Sequence, residues 1–448
     1  MPKSTYVCLP EMAAQEAELA YRIRKLLATD CQQIQPRYGD LKQDQPKAVD
    51  LACTKSLSIL RGRAGTGKTT TLRAIINSFD RAGLRGIIMC PSAKAAKRAA
   101  EVIATEKYAN KPECKTAHMG LKWQEGRFIY SVKNKLPYDY VIMDEASMGG
   151  LMISHAFFNA IDSKKTRVIL SGDPNQLPSV DPGNVYHDLI ESGVAPSTYL
   201  NYLFRQGANS GIAYNAGRVL NGDPLSLIDP RTGEKFQDFM LAEIDDPVEA
   251  KKYIIDCIVN RIPAKFGYDS KRDIQLLCPG KRGEVGTDGL NESLRESLNP
   301  AVMAAKSFKG FRLGDKVICR KNDYNLGVVN GDVGIVVKID DRGLVVDFGV
   351  GAGKTGNGKA EFGYETAGTL KLAYGYTVHS SQGSEFKCVV VPIYSLHHFL
   401  LFRNLFYTGI TRARDLVLVV YQKKALYRAL NNTVIDKRTT MLRKFLKQ

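Results

Sequence analysis

The sequence lacks the features of a secreted, membrane-spanning or zinc-binding protein. Its nine cysteines are odd in number and include no Cys-x-x-Cys pair, which argues against a disulfide framework and a structural metal. No apolar run approaches the roughly 18 residues of a spanning helix, and residues 1–10 contain no apolar segment typical of a signal peptide. We therefore expect a cytoplasmic protein without a membrane partner.

Acidic residues are also in deficit. The chain has 63 Lys and Arg against 46 Asp and Glu, so its formal net charge is +17. Such a surface attracts polyanions, which makes nucleic acid the expected partner. Charge alone is also compatible with an ordinary solvated basic surface. At 448 residues, the chain should divide into two to four compact units.

Short apolar runs alternate with helical segments in two series, a pattern typical of parallel sheets covered by helices on both faces. The first series comprises Ser58–Leu60, Gly86–Cys90, Tyr140–Met143 and Arg167–Leu170, and the second comprises Ile274–Cys278, Val389–Pro392 and Leu416–Val420. Between Lys309 and about Tyr374, strand-like runs alternate with Gly and Asp turns, which predicts a small antiparallel barrel or sheet. The sequence therefore predicts an α/β protein with two tandem lobes and a β insertion in the second.

The expected boundaries follow these patterns. Leu19, Ile23 and Leu26 recur at helical spacing and predict a helix near the N-terminus. We expect an N-terminal helical extension at 1–40, a first lobe at 41–200 with a short insertion at about 119–137, a second lobe at 201–305 and 375–425, a barrel at 306–374 and a basic tail at 426–448.

A complete GxxxxGK[ST] motif runs from Gly62 to Thr69, directly after a predicted strand and before a predicted helix. Its glycines let backbone N–H groups surround phosphates, and the helix N-terminus adds the positive end of its dipole. Lys68 would reach the β- and γ-phosphates of ATP, and Thr69 would hold Mg²⁺. The candidate nucleotide-binding residues are Gly62, Ala64, Gly65, Thr66, Gly67, Lys68, Thr69 and Thr70.

Two adjacent acids, Asp144 and Glu145, end the apolar run Tyr140–Met143. Asp144 would bind Mg²⁺ through water, and Glu145 would orient and deprotonate the attacking water. Paired acids at a strand end are common as ordinary solvated residues, but the motif at Gly62 favours the catalytic interpretation. Since many P-loop proteins share these features, they do not settle the function.

The segment Ser171–Pro178 resembles motif III of superfamily 1 helicases, in which a glutamine senses the γ-phosphate, and Gln176 occupies that position. Taken alone, its Gly-Asp-Pro-Asn run predicts only a turn. Further strings resemble the motifs of this family in the family's order. They begin at Leu41 (Q motif, with Gln45 and Ala48), Pro91 (Ia), Thr116 (Thr-x-His), Phe204 (IV), Tyr376 (V) and Tyr407 (VI).

The resemblance implies two RecA-like lobes and a role for each matching residue. Gln45, Gly383 and Glu385 would contact the nucleotide, and the DNA would touch Pro91, Ser92, Lys94, His118, His379 and Ser380. Arg205 and Arg412 would meet the γ-phosphate, Arg412 as the arginine finger, although an isolated arginine is usually a surface cation. The implied catalytic set is Lys68, Asp144, Glu145, Gln176, Arg205 and Arg412.

Three strings resemble the RecD and Dda branch of the family, which moves 5′ to 3′ along single-stranded DNA. They are Leu277–Pro279 with Leu290 and Asn291, Phe311–Val317 and Asn330–Gly334, of which the last two resemble an SH3-like barrel. The implied partners are single-stranded DNA, single–double-strand junctions and proteins of replication, repair or recombination. The compact length suggests a minimal motor such as phages encode, acting in a bacterial or infected-host cytoplasm.

The insertion at about 119–137 carries aromatic residues around a plausible Glu-Gly turn. In this branch the region forms a β-hairpin pin that splits the duplex. Trp123, Phe128 and Tyr130 could stack on bases, or they could pack on the core as ordinary strand residues, and the sequence favours neither.

An ATP-dependent DNA helicase is the function that the sequence favours. The alternatives are an ATP-switched DNA-binding protein, a translocase that displaces proteins without unwinding, and an RNA helicase. DNA-stimulated ATP hydrolysis discriminates the first alternative, and comparing DNA with RNA homopolymers discriminates the last.

Overall fold

The computed structural model describes residues 9–202, 210–302, 306–349, 353, 357–434 and 438–448. They form two compact units, the first of residues 1–207 and 434–448 and the second of residues 208–433. The α-helices are α1 (Pro10–Leu27), α2 (Gln45–Thr54), α3 (Lys68–Arg81), α4 (Ala93–Ala104), α5 (Ala117–Gly120), α6 (Leu151–Ala160), α7 (Val185–Ser192), α8 (Gly211–Asn221), α9 (Pro247–Asp256), α10 (Ile262–Phe266), α11 (Thr287–Leu298), α12 (Arg403–Ile410), α13 (Lys423–Asn431) and α14 (Leu442–Leu446).

The strands of the first unit are β1 (Leu57–Gly62), β2 (Gly86–Cys90), β3 (Glu113–Thr116), β4 (Trp123–Gln124), β5 (Arg127–Phe128), β6 (Tyr140–Met143), β7 (Arg167–Gly172) and β8 (Ser197–Leu200). Those of the second are β9 (Phe239–Glu243), β10 (Ile274–Cys278), β11 (Ser307–Phe308), β12 (Phe311–Arg312), β13 (Lys316–Cys319), β14 (Val333–Asp340), β15 (Gly343–Asp347), β16 (Lys359–Phe362), β17 (Leu370–Leu372), β18 (Gly375–Thr377), β19 (Phe386–Ile393) and β20 (Ala413–Tyr421). Short 3-10 helices lie at Ala146–Met148, Thr366–Thr369, Val378–Ser381 and Ser395–Leu400, and a π-helical turn at Cys257–Arg261.

The first unit contains a six-stranded parallel sheet of order β3-β2-β6-β7-β1-β8. Alternate residues of each inner strand enter opposite cores. On β6, Val141 and Met143 join one apolar cluster, and Tyr140 and Ile142 join the other. Because both faces are covered, the strand is apolar throughout, and that continuous run made it recognisable in the sequence.

Helix α1 belongs to the core of the first unit. Its Leu19, Ile23 and Leu26 are at most 1% exposed and share an apolar cluster with residues of α6. From the other end of the chain, α14 adds Leu442 and Leu446 to the same cluster. The predicted helix near the N-terminus is therefore part of the lobe that holds the P-loop motif.

Residues 426–448, expected to form one basic tail, are divided between the two units. Helix α13 buries Leu426 and Leu430, and residues 434–448 belong to the first unit. Arg438 donates hydrogen bonds there to the carbonyl oxygens of Ser179, Asp181 and Gly183. The helical spacing of Leu426 and Leu430 explains why α13 packs on the second unit. The hydrogen bonds of Arg438 explain why the following segment packs on the first unit.

The second unit contains a five-stranded parallel sheet of order β18-β10-β19-β20-β9. The predicted strand Ile274–Cys278 has the expected ends, and the other two predicted strands are longer than expected by one to three residues at each end. Both predicted lobes are thus α/β, as the alternating pattern indicated.

The insertion between β10 and β18 contains an antiparallel sheet of order β16-β15-β14-β13-β17. Within the described residues its outer strands, β16 and β17, do not pair, so of the two predicted forms, a barrel or a sheet, the insertion takes the open sheet. Buried Asp315 attaches it to α11 through an ion pair with Arg295, whose Nη2 lies 2.6 Å from Oδ2, and through Asn299, whose Nδ2 lies 2.8 Å from Oδ1.

The short insertion in the first lobe is a β-hairpin in which Trp123 pairs with Phe128 and Gln124 with Arg127. Its two-residue turn has Glu125 at φ 48° and Gly126 at φ 78°. Positive φ at both turn positions is the type I′ geometry that suits the twist of two-residue hairpins. The predicted hairpin at the Glu-Gly turn is therefore present.

Candidate nucleotide and nucleic-acid sites

Three candidate loops lie side by side at one edge of the first sheet. Strand β7, which leads to Gln176, lies between β6, which leads to Asp144, and β1, which leads to the P-loop. Arg61 is in register with Gly172, and Met143 is in register with Leu170. Since the strands are parallel, their carboxyl ends meet at the edge where α/β proteins bind ligands.

The P-loop has the backbone shape that a phosphate cradle needs. Gly65 and Gly67 have φ values of 81° and 80°, in the left-handed region that glycine adopts readily. A Cβ atom at Gly62 would collide with the Thr66 hydroxyl, which donates to the Arg63 carbonyl at 2.9 Å. Helix α3 then begins at Lys68, so its free N–H groups face the loop.

Lys68 folds back over the loop. Its Nζ donates to the Gly62 carbonyl at 2.6 Å and to the Arg63 carbonyl at 3.1 Å. These carbonyl oxygens accept the hydrogen bonds that the Lys68 ammonium group would donate to phosphate oxygens of a bound nucleotide. The neighbouring Thr69 and Thr70 are exposed, and Ala64 is half-buried, so these positions are reachable by a ligand.

Gln45 is 4% exposed and is bound at both ends of its amide. Its Nε2 donates to the Gly67 carbonyl at 3.3 Å, and its Oε1 accepts from the Lys42 backbone at 3.0 Å. In this state Gln45 braces the end of the P-loop. A contact with adenine, which the resemblance implies, remains a prediction.

The two acids adopt a constrained turn. The Asp144 N–H continues the sheet by donating to the Met89 carbonyl at 2.9 Å. Glu145 has φ 52°, unusual for a non-glycine residue, and its N–H donates to Asp144 Oδ1 at 3.0 Å. Burial, and then the charges of Asp144 and Glu145, raise the pKa of the nearby Cys90 thiol well above its usual value.

A turn formed by Asp173 holds Gln176 in place. The sequence motifs did not identify Asp173 as a site residue. Asp173 is fully buried, and its Oδ1 accepts from the Asn175 backbone at 3.0 Å and side chain at 3.1 Å. The Gln176 N–H donates to the Asp173 carbonyl at 3.3 Å. Asp173 is thus a positioning residue, and its place before Pro-Asn is typical of such Asx turns.

The Gln176 side chain is 3% exposed, and its Oε1 has no hydrogen-bond partner within the described residues. Leaving a buried amide oxygen unpaired costs about 1–3 kcal/mol. The cost is tolerable where a ligand, ion or water completes the group during the working cycle, and a γ-phosphate-sensing residue is such a case.

The predicted DNA contacts of the first lobe lie at helix starts. The Ser92 hydroxyl accepts from the Ala95 N–H at 3.2 Å and caps α4, which carries Lys94, while Pro91 precedes it. The Thr116 hydroxyl accepts from the Met119 N–H at 3.2 Å and caps α5, which carries exposed His118. Both helices begin at the carboxyl ends of neighbouring strands, β2 and β3, so these residues share the edge of the nucleotide loops.

His118 belongs to an aromatic patch with Trp123 and Phe128. The Trp123 and Phe128 ring centroids are 4.5 Å apart, and His118 lies 6.2 and 5.8 Å from them. Trp123 is 43% exposed, whereas Phe128 and Tyr130 pack against the core. Trp123 thus offers an open face that Phe128 supports, and Tyr130 packs on the core; stacking on bases stays a prediction.

In the second unit, the predicted motif V residues contact the inserted sheet. Ser380 Oγ accepts from Arg320 Nη1 at 3.1 Å and lies 3.0 Å from the Thr377 hydroxyl. Burial lowers the pKa of His379, which is therefore neutral at pH 7. Arg320 was not identified from the sequence, because only the folded chain brings the end of β13 to residue 380.

The arginine candidates are placed unequally. Arg412 is 3% exposed, and its guanidinium donates to the carbonyl oxygens of Thr408 and Ser384, both at 3.3 Å. Nearby Gly383 has φ 75°, which turns the chain ahead of half-buried Glu385. Arg205 lies outside the described residues, so its predicted role is untested.

Three known families match successive parts of the chain. An AAA domain matches residues 40–232, the SH3 domain of ATP-dependent RecD-like DNA helicases matches residues 290–348, and a UvrD-like helicase C-terminal domain matches residues 372–420. The SH3 match covers most of the described insertion before β16, in agreement with the predicted fold.

Two curated relatives resemble the chain over most of its length. The ATP-dependent RecD2 DNA helicase of Deinococcus radiodurans is 33% identical over 419 residues, which are 91% of this chain and 54% of that protein. The RecBCD enzyme subunit RecD of Mycolicibacterium smegmatis is 28% identical, over 92% of this chain and 76% of that subunit. The chain therefore spans about half the length of the first relative and about three quarters of the second.

Solved structures share the fold at lower identity. A Pif1 helicase from Bacteroides in complex with ADP-AlF3 and single-stranded DNA gives a TM-score of 0.53 at 16% identity, covering 87% of this chain and 94% of that one. Two coordinating Pif1 helicases at forked double-stranded DNA give 0.52 at 18% identity, covering 85% and 92%. Among the described residues, no helix combines the length and apolarity needed to cross a bilayer.

Proposed function

We propose that this chain, a RecD-like helicase of superfamily 1 by its three domain matches and its RecD2 relative, is an ATP-dependent DNA helicase that translocates 5′ to 3′ on single-stranded DNA. The observation that carries the proposal is the meeting of three loops at one sheet edge. They present Lys68, Glu145 and Gln176 beside strand ends that also lead to exposed His118.

The loop geometry fits a magnesium nucleotide, because Gly65 and Gly67 take left-handed backbone conformations and the N-terminus of α3 follows directly. Thr69 and Asp144 are oxygen donors suited to Mg²⁺ and would hold it, and Mg²⁺ supplies charge neutralisation at the β- and γ-phosphate oxygens. Lys68 would exchange its two carbonyl partners for phosphate oxygens. Glu145 would orient the attacking water and accept its proton.

Coupling of hydrolysis to movement requires residues that sense the γ-phosphate. We assign that role to Gln176, since its buried Oε1 has no partner within the described residues. Arg205 and Arg412 would stabilise the charge of the transferred phosphoryl group. For Arg412 this means exchanging the long bonds to Thr408 and Ser384 for the nucleotide. Loss of the γ-phosphate would then open the two units, and rebinding would close them.

The DNA contacts would be backbone contacts at Pro91, Ser92, Lys94 and His118 in the first unit and at His379 and Ser380 in the second. The exposed face of Trp123 would stack on the base pair that is being opened. The partners would be single-stranded DNA and forked junctions, together with proteins of DNA replication, repair or recombination in a bacterial cytoplasm.

The first test is ATP hydrolysis with and without single-stranded DNA, in the wild type and in Lys68→Ala. We expect hydrolysis that DNA stimulates in the wild type and none in the variant, while affinity for single-stranded DNA survives. Poly-dT and poly-U should be compared, because stimulation by RNA alone would replace the proposal with an RNA helicase. DNA-stimulated hydrolysis retained in Lys68→Ala would remove the P-loop from its assigned role.

A further inference from the structure

The first unit has a second concave region rich in positive charge. This cavity of about 230 Å³, called the basic pocket below, has an apolar floor that includes Leu26, Phe158 and Ile161. Around it stand four cationic side chains and one carboxylate, namely Arg22, Lys25, Lys135, Lys164 and Asp162.

The basic pocket is separate from the nucleotide loops. Lys135 precedes β6, which begins at Tyr140, and Lys164 precedes β7, which begins at Arg167. The pocket therefore lies at the amino edge of the parallel sheet, while the nucleotide loops lie at its carboxyl edge. A strand of four residues spans about 13 Å, so one ligand group does not serve both sites.

The positive charge of the pocket is only partly compensated. Arg22 pairs with Glu18 at 3.1 Å, and Lys135 Nζ donates to the Asn159 carbonyl at 2.7 Å. Burial and then the charges of Arg22 and Lys25 lower the pKa of Lys135, against the opposing effect of Asp162. Like charges held together in a concave, partly apolar site favour the binding of an anion.

Two of the four cations are available to a ligand. Lys25 and Lys164 are exposed, and neither forms an ion pair with another described residue. Lysines on a rim above two fixed cations resemble the arrangement that neutralises phosphates of a nucleic-acid backbone.

The pocket is close to the hairpin along the chain. Val132, a lining residue that is 41% exposed, follows Phe128 by four residues, which limits their Cα separation to about 14 Å. A backbone bond from Leu136 to the Ala160 carbonyl at 2.9 Å fixes the end of this segment against α6. The chain thus passes from His118, through the hairpin, to the pocket.

We propose that the basic pocket binds backbone phosphates of the duplex arm that lies ahead of the hairpin. This inference rests on the proposed helicase function, in which single-strand contacts lie on the His118 side of the hairpin. Along the chain, pocket residues Val132 and Lys135 follow the hairpin, and there the strands would still be paired. The pocket would hold the fork while Trp123 meets the next base pair.

The test compares the double variant Lys25→Gln/Lys164→Gln with the control Lys55→Gln/Lys165→Gln. The control removes the same charge from exposed lysines of the same unit that do not line the pocket. Affinities are measured for a forked duplex and for its isolated single-stranded overhang, over a range of salt concentrations. These substitutions leave Arg22 and Lys135 in place, so the fold should persist.

We expect the pocket variant to bind the fork roughly tenfold more weakly than the control at moderate salt, with a salt slope smaller by about two. Its affinity for single-stranded DNA and its DNA-stimulated hydrolysis should equal those of the control. Equal fork affinities in the two variants would overturn the proposal. A pocket that binds only free phosphate would give this result. A parallel loss for fork and single strand would also overturn it.

Failure of the proposed function is a separate result. Binding needs no turnover, so the comparison tests the pocket even in a protein that does not hydrolyse ATP. A wild type without DNA-stimulated hydrolysis or unwinding would reject the helicase, whereas an active wild type with an unaffected pocket variant would reject the duplex contact alone.

Discussion

Replacing Trp123 with alanine should separate strand opening from ATP hydrolysis. Trp123 is 43% exposed, and its described ring contacts are with Phe128 and His118 in the same patch. An aromatic pair of this kind contributes about 0.5–1.5 kcal/mol beyond buried area. That loss is small against the 5–15 kcal/mol typical of a folded domain, so the first unit should stay folded.

The loss in unwinding is expected to be larger. Stacking of one base on an aromatic side chain contributes about 1–3 kcal/mol, which corresponds to a roughly 5- to 150-fold lower rate if the contact acts only in strand opening. The ring contacts and strand pairing described for Trp123 involve only His118 and Phe128 and no residue of the nucleotide loops, so hydrolysis stimulated by single-stranded DNA should stay within about twofold of the wild type.

The assay measures both activities on one preparation, with a forked duplex for unwinding and an oligonucleotide for hydrolysis. Trp123→Phe is the matched control, because phenylalanine keeps a stacking face and the contact with Phe128. It should recover most of the unwinding rate. Equal losses of unwinding and hydrolysis in Trp123→Ala, or no recovery in Trp123→Phe, would refute the assignment of Trp123 to strand opening.

Three further predictions concern single side chains. Gln45→Ala removes the bond to the Gly67 carbonyl, so we expect a higher KM for ATP and a loss of stability of about 1 kcal/mol, measured by hydrolysis kinetics and denaturation; an unchanged KM would contradict it. Gln176→Met removes an unpaired buried amide oxygen, so the free energy of unfolding should stay the same or rise by about 1 kcal/mol. The stimulation of ATP hydrolysis by DNA should be lost in this variant, and retained stimulation would refute the coupling role of Gln176. Burial lowers the pKa of His397, so protonation favours the unfolded chain, and stability should fall as pH drops below about 6.5. In thermal unfolding curves His397→Gln should lessen that fall. An unaltered pH profile in the variant would contradict this prediction.

The sequence predicted the inner strands of the two sheets well because these strands are buried on both faces, whereas the edge strands β3, β8, β9 and β18 were not predicted. Gly86–Cys90, Tyr140–Met143 and Ile274–Cys278 appear as continuous apolar runs, and each has the predicted ends in the structure. The motifs at Gly62 and Gln176 follow such strands directly, so their place at the carboxyl edge could also be inferred.

Contacts between distant parts of the chain could not be predicted in this way. The Met441 N–H donates to Glu16 Oε2 across 425 residues, and Arg320 reaches Ser380 across 60. Each depends on how separate elements fold together, and neither leaves a local pattern. The open sheet of the insertion has the same origin, since closure depends on whether β16 and β17 meet, which turn spacing does not fix.

Unwinding of duplexes with either a 5′ or a 3′ single-stranded overhang tests the central claim most directly. With ATP and Mg²⁺, the wild type should unwind the 5′-overhang duplex, leave the 3′-overhang duplex intact, and do neither without ATP. Lys68→Ala should unwind neither substrate while still binding the overhang. Unwinding that persists without ATP or in Lys68→Ala, or that needs a 3′ overhang, would contradict the account.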